Sequence, residues 1–317
     1  MPFVILGVGV LILFFTLLYF IYMKVYHTPD PGQNDPYRFP DNPQYAPYRE
    51  SHLKGVEELL RSPYEKVETE SYDGLKLRGK LFRFGDADAP LAICFHGWHG
   101  LDVRDFRGGV GMLRDMKYNV LLISERGHGD SEGHTLTYGV KERRDVLSWT
   151  NFALHRFGKD CRILLFGVSM GASTVLMASD LDLPPQVKGI IADAPYSSPR
   201  DIIRKVMKTM KISPAVFYPL VTFSGWLFGH VRINSASPMR SVQGARVPIL
   251  IIHGEDDRFV PCEMSERIAA ANPAIIRYTF PNAGHVLSYL TDEARYRDIA
   301  GKFLDSCLKD DKAPVNS

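Results

Sequence analysis

Several things are scarce in this chain of 317 residues, and each scarcity removes a class of function. Cysteine occurs four times, at Cys94, Cys161, Cys262 and Cys307. No Cys-x-x-Cys and no His-Glu-x-x-His is present, so zinc chemistry lacks its usual ligand spacing. Cys94 sits in an apolar run, where a small buried hydrophobe is expected. Four such cysteines would allow three pairings in an exported protein, but free thiols are the expectation here. Charge of one sign is not in excess: 38 Lys and Arg against 36 Asp and Glu give a net +2. With no aromatic and basic stripe, nothing marks a nucleic-acid partner. No glycine-rich dinucleotide fingerprint follows a strand and no internal repeat is evident, so no cofactor and no metal are expected. Long apolar runs are absent, with one exception.

That exception is residues 3–23, which carry no charge. As a helix they would span about 31 Å, the thickness of a bilayer's hydrocarbon layer. No Lys or Arg precedes the run, and Tyr19, Phe20, Tyr22 and Tyr26 cluster at its end. A retained transmembrane anchor over 1–26 is therefore expected in place of a cleaved signal peptide. Lys24 and His27, with Arg38 further on, lie only on the C-terminal side of the run, which leans toward a cytoplasmic position for the rest of the chain. Residues 27–50 hold Pro29, Pro31, Pro36, Pro40, Pro43 and Pro47 among tyrosines. This stretch reads as an extended tether lying along the domain surface through Tyr37, Phe39, Tyr45 and Tyr48.

Past the tether, a main domain is expected over 51–310, with a tail at 311–317. A short amphipathic helix over 52–61 precedes strands at 64–71 and 76–84, which pair across the Asp73-Gly74 turn. Further strands fall near 91–95, 119–124, 162–166, 189–192, 248–252 and 277–280, with helix-like periodic segments between them. The alternation predicts an α/β fold: a mostly parallel eight-stranded sheet with helices on both faces. Residues 196–244 are too long for a simple crossover and read as a helical cap. In it Ile202, Ile203, Val206, Met207 and Met210 make an apolar face, and Arg204, Lys208 and Lys211 a basic one that reads as solvated surface.

The chemistry gathers at strand ends. Gly167-Val168-Ser169-Met170-Gly171 follows an apolar run and precedes a helix-like one. Such a turn lifts a serine hydroxyl clear of the sheet edge. After the strand at 248–252 comes His253-Gly254-Glu255-Asp256-Asp257, a loop of carboxylates that offers an acid. Asp257 and Asp256 compete for that role, with Asp193 further behind. After the last strand comes Gly284-His285, a base. A serine hydroxyl needs an imidazole to take its proton, and the imidazole needs an acceptor on its other nitrogen. Ser169, His285 and one aspartate supply the set in a known chain order. His96, His128 and His253 each sit beside a glycine or strand end, where loop hydrogen bonding is the expected use.

Together with His96-Gly97-Trp98-His99-Gly100 and Glu125-Arg126-Gly127-His128-Gly129-Asp130-Ser131-Glu132-Gly133, these blocks resemble the α/β-hydrolase superfamily over roughly 55–310. The chain is similar within it to esterases and to serine-aminopeptidase-like or acylaminoacyl-peptidase-like proteins. The resemblance implies Asp257 as the acid. Glu125 stands where that family commonly has aspartate.

An oxyanion in such a site needs two donors, and the backbone N–H groups of Met170 and Trp98 are the candidates. Phe217, Phe223 and Trp226 of the cap are candidates for lining an acyl pocket above Ser169. These readings add up to a membrane-anchored serine hydrolase acting on carboxylic esters through an acyl-enzyme, with a small-molecule or lipid-like acyl substrate. Amide or peptide cleavage is the alternative, and a non-catalytic binding protein on a hydrolase fold the second.

Overall fold

The computed structural model of the chain describes residues 1–28 and 35–309. Pro29 and Pro31 of the expected tether and the tail over 311–317 lie outside the described residues. The chain begins with helix α1 (Pro2–Val25), passes a 3-10 turn at Ala46–Tyr48, and continues into α2 (Arg49–Arg61). Strands β1 (Glu65–Glu70), β2 (Lys76–Phe82) and β3 (Leu91–Phe95) follow, then α3 (Asp102–Asp105), α4 (Arg107–Asp115), β4 (Asn119–Ile123), α5 (Glu142–Phe157) and β5 (Ile163–Val168). Next come α6 (Met170–Ala178), β6 (Val187–Asp193), α7 (Pro199–Thr209), α8 (Pro214–Gly229) and α9 (Pro238–Ser241). The chain finishes with β7 (Ile249–Gly254), α10 (Glu263–Ala271), β8 (Ile276–Phe280), α11 (Ser288–Thr291) and α12 (Glu293–Lys309).

All eight strands join one sheet in the order β1-β2-β4-β3-β5-β6-β7-β8. The β1–β2 and β2–β4 pairs are antiparallel and every later pair is parallel. The hairpin turns at Gly74, whose φ of 85° suits glycine. Strands β3, β4, β5 and β7 are buried at every position, which explains why they read as unbroken apolar runs with no alternation. Their side chains divide between two cores. Cys94, Leu122 and Phe166 face Leu59, Leu113 and Phe303 of α2, α4 and α12. Phe95, Leu121 and Leu165 face Trp149, Val175 and Ile268 of α5, α6 and α10. Each large apolar side chain so covered contributes about 1.5–3 kcal/mol, so the two layers hold the sheet from both sides.

The segment expected as a cap forms α7, α8 and α9: Ile202 of α7 packs with Met170 and Val260 beside the serine turn, while α8 lies against α1. Tyr22 of α1 and Tyr26 just after it pack with Ile203, Met207 and Val221. The Tyr26 hydroxyl donates to the Val221 carbonyl at 3.2 Å. A side chain on Gly225 would meet the Tyr26 ring at 2.5 Å, so this glycine lets the two helices close. Most of α1 has no protein cover, and among the described residues it is the one helix long and apolar enough to cross a membrane.

Candidate active site

Strand β5 stops at Val168 and α6 starts at Met170, which leaves Ser169 alone in the turn with φ 53° and ψ −112°. A non-glycine residue held there costs of order 1–3 kcal/mol, a strain the packing on either side must hold. The flanking glycines are required by space and not by φ. A Cβ on Gly171 would lie 2.0 Å from the Phe95 carbonyl oxygen, and one on Gly167 2.3 Å from that of Gly171.

Three strand ends converge at this turn. His285, in the loop after β8, reaches Ser169 Oγ with Nε2 at 2.9 Å, and its Nδ1 lies 2.6 Å from Asp257 Oδ2. Asp257, after β7, is buried, and its Oδ1 accepts the N–H groups of Phe259 and Val260 at 2.9 and 2.8 Å. His253 Nε2 stands 3.3 Å from Oδ2. Burial alone would push this carboxyl up, but the charge of His285 and the hydrogen bonds from His253 and His285 outweigh it, so the group is held well below the usual carboxylate range. It is a fixed acceptor. Asp256 next to it is exposed and touches Gln44 through its backbone carbonyl. Asp193 accepts from the Tyr296 hydroxyl at 3.0 Å, and burial lifts its carboxyl to about 6.

The loop after β3 is tied down from below. His96 Nδ1 lies 2.9 Å from the Gly97 carbonyl, while its Nε2 accepts the N–H of Glu125 at 3.0 Å. Gly97 N–H in turn donates to Asp105 Oδ2 at 2.9 Å. The N–H groups of Trp98 and Met170 have no partner among the described residues. Glu125 is wholly buried, and burial with the nearby Glu142 and Asp145 charges drives its carboxyl well above the usual carboxylate range.

A cavity of about 570 Å³ opens over Ser169 and His285. Its wall includes Trp98, Phe259 and Val286 from the domain, and Arg38, Phe39, Pro40 and Tyr45 from the tether. The Tyr45 hydroxyl donates to the His285 carbonyl at 2.8 Å, and Gln44 Nε2 to the Asp256 carbonyl at 3.1 Å. The tether thus forms part of the wall over the site. Phe217, Phe223 and Trp226 correct the expectation placed on them: they are 39, 39 and 50% exposed on α8, beside α1, and outside the cavity wall. Composition alone suggested a pocket, but these rings stay exposed on α8, Phe223 stacked on Trp226. Sequence reasoning also missed Arg104, Asp105 and Arg107, although their cluster directly follows the His-Gly loop.

A family model of the alpha/beta hydrolase family matches residues 92–299. The chain belongs to that family. Among curated proteins it is 27% identical over 238 residues to the uncharacterized protein YqkD of Bacillus subtilis, covering 74% of this chain and 76% of that one. It is 23% identical over 263 residues to the alpha/beta hydrolase domain-containing protein WAV2 of Arabidopsis thaliana, covering 76 and 79%. Among solved structures, an esterase of Pyrococcus furiosus superposes with a TM-score of 0.63 at 23% identity, over 78% of this chain and 93% of that one. Est1E of Butyrivibrio proteoclasticus, solved with ferulic acid bound, gives 0.60 at 20% over 77 and 100%. These likenesses show the hydrolase fold.

Proposed function

We propose that this hydrolase-family protein is a serine hydrolase that cleaves carboxylic esters through an acyl-enzyme. The observation that carries the reading is the unbroken run from Ser169 Oγ through His285 to Asp257, at 2.9 and 2.6 Å, on the floor of an open cavity. Asp257 keeps the proton of the imidazole on Nδ1, which leaves Nε2 free to take the serine proton as the hydroxyl attacks. The tetrahedral oxyanion is received by the N–H groups of Met170 and Trp98, each worth about 3 kcal/mol in such a position. The same imidazole then protonates the leaving alcohol, and water repeats the sequence on the acyl-enzyme.

Ester cleavage is favoured over aminopeptidase activity by the charge of the wall. A peptide's ammonium group needs a carboxylate to hold it. The cavity wall instead carries Arg38, Arg104 and Arg107, and its carboxylate Asp105 is turned to the Gly97 backbone. A fluorophosphonate probe should label the wild-type protein on the peptide containing Ser169, and acyl esters should be hydrolysed while matched anilides and aminoacyl anilides are not. Faster turnover of aminoacyl anilides would establish the peptidase alternative, and no labelling with no turnover would favour a binding protein.

On the same reading α1 crosses a bilayer, with Lys24 favouring the cytoplasmic side for the domain. Helix α8 rests in the same membrane. Val216, Phe217, Phe223 and Trp226 are exposed along it, and Phe228 meets Tyr19 of α1 at 5.4 Å between ring centres. Such an apolar band is rare on a protein surface that faces water, whereas tryptophan suits a membrane interface. The full-length protein should stay with membranes through alkaline carbonate extraction, and brominated lipids should quench its fluorescence less in Trp226→Phe. Release into the supernatant would remove the span, and equal quenching would remove the placement of α8.

A further inference from the structure

The cavity above Ser169 carries more positive charge than ester hydrolysis by itself requires. Three guanidinium groups, of Arg38, Arg104 and Arg107, share the wall with one carboxylate, Asp105. That carboxylate is already engaged: Oδ2 accepts the Gly97 N–H at 2.9 Å, and Oδ1 lies 3.4 Å from Arg104 Nε. Arg104 is further committed through Nη2 to the His99 carbonyl at 2.7 Å. Arg38 and Arg107 are different. Neither is paired with a carboxylate among the described residues. Arg107 gives Nη1 to the Arg104 carbonyl at 2.8 Å, while its buried Nε has no partner among the described residues.

A half-buried guanidinium with no direct ion pair and a buried, unpartnered Nε is costly, because its surroundings replace little of the hydration it has lost. Burial pulls Arg107 down to about 10 against the opposing charge of Asp105, with Arg104 adding a smaller push in the same direction as burial; this is still well above neutrality, so its charge persists. Two other features add to the same wall. Helix α4 begins at Arg107 with no side-chain cap and no acidic residue in its first turn, so its N-terminus adds partial positive charge to the wall, with Asp105 just ahead of it as the one nearby carboxylate. His52 and His99 are both lowered to about 4, by burial first and then by the arginine charges, so neither competes as a cation at neutral pH.

Resting on the serine-hydrolase reading, we infer that the ester this site takes carries an anionic group, a carboxylate or a phosphate, which Arg107 and Arg38 bind while Ser169 attacks the carbonyl. The guanidinium fork matches either group in geometry and charge. Because Arg38 belongs to the tether and Arg107 to α4, the bound anion also fastens the tether over the site.

The test uses full-length protein in detergent and two matched pairs. The soluble pair is mono-4-nitrophenyl succinate against 4-nitrophenyl pentanoate. The lipid pair is a lysophosphatidic acid against the monoacylglycerol of the same chain, in mixed micelles. At least one anionic member should exceed its neutral partner tenfold or more in kcat/KM, about 1.4 kcal/mol. A preference in the soluble pair assigns a free carboxylate, and one in the lipid pair a headgroup phosphate. That ratio should collapse toward one in Arg107→Gln, fall in Arg38→Gln, and be largely kept in Arg107→Lys, which retains the charge. High salt should lower it in the wild type. Arg38 is exposed, so its variant tests the inference even if Arg107→Gln does not fold. The inference fails if neither anionic member is preferred, or if the preference survives both glutamine variants. In those cases labelling at Ser169 and turnover of neutral esters would leave the hydrolase reading standing. Absence of both would overturn that reading and this inference together.

Discussion

Replacing Ser169 with alanine is expected to abolish fluorophosphonate labelling and to reduce kcat toward esters by about a millionfold, the scale on which a serine hydrolase loses activity without its nucleophile. The substitution removes one oxygen. Its partner is His285 Nε2, whereas the backbone bonds that set the turn, from Ser169 N–H to the Asp193 carbonyl at 2.8 Å and from Ser173 N–H to the Ser169 carbonyl at 3.1 Å, do not involve the side chain. Alanine meets the same positive-φ strain as serine, so the melting temperature should stay close to that of the wild type. A slow residual rate above water should remain, because the two N–H groups of the proposed oxyanion hole are backbone and survive the change. Ester turnover within tenfold of the wild type, or a persistent label in a folded variant, would remove Ser169 as the nucleophile.

Asp257→Asn is expected to lower kcat by about 10⁴ with little change in KM, the drop expected when a triad imidazole is held in the wrong tautomer. The local hydrogen bonds determine which way the new amide must point. Phe259 and Val260 donate N–H groups to Asp257 Oδ1, so the amide oxygen takes that position. Its NH₂ then faces His285 Nδ1. An NH₂ can only donate, so Nδ1 becomes the acceptor and the imidazole proton moves to Nε2, where it can no longer receive the serine proton. His253 Nε2 at 3.3 Å from the same carboxylate oxygen also loses its acceptor, although it keeps the Val260 carbonyl at 2.9 Å. The Asp256→Asn change should be nearly silent, since that side chain is exposed and only its backbone carbonyl is in use. Steady-state kinetics of the two variants side by side give the answer. Equal losses, or a larger loss at position 256, would reassign the acid.

Much of this architecture is legible in the sequence because it is written in short-range terms. Buried parallel strands announce themselves as apolar runs, as 91–95 and 163–168 do, and the two glycines around Ser169 mark a turn where a Cβ has no room. Three site residues each come shortly after a strand, so their placement at one edge of the sheet follows from alternation and from the direction shared by parallel strands. The pocket role given to the α8 aromatics was misplaced for a physical reason. Aromatic content on α8 says that the helix wants an apolar neighbour, but it does not say which one: Val221 and Phe228 meet α1, while Phe217, Phe223 and Trp226 stay exposed outside the cavity wall.

Composition, periodicity and turn chemistry therefore determined by themselves the class of fold and the eight strands, and they brought Ser169, His285 and the neighbouring pair Asp256 and Asp257 to the strand ends as candidates, because each is a property of a few consecutive residues. The choice of Asp257 came from the family resemblance. Which side chains wall the cavity was decided only by tertiary structure. The bond from Tyr45 to the His285 carbonyl joins residues 240 positions apart. The charge of Arg38 meets that of Arg107 only once the tether has docked across α2 and the strand ends. Contacts of that kind leave no periodic mark along the chain, since they depend on where two distant surfaces come to rest.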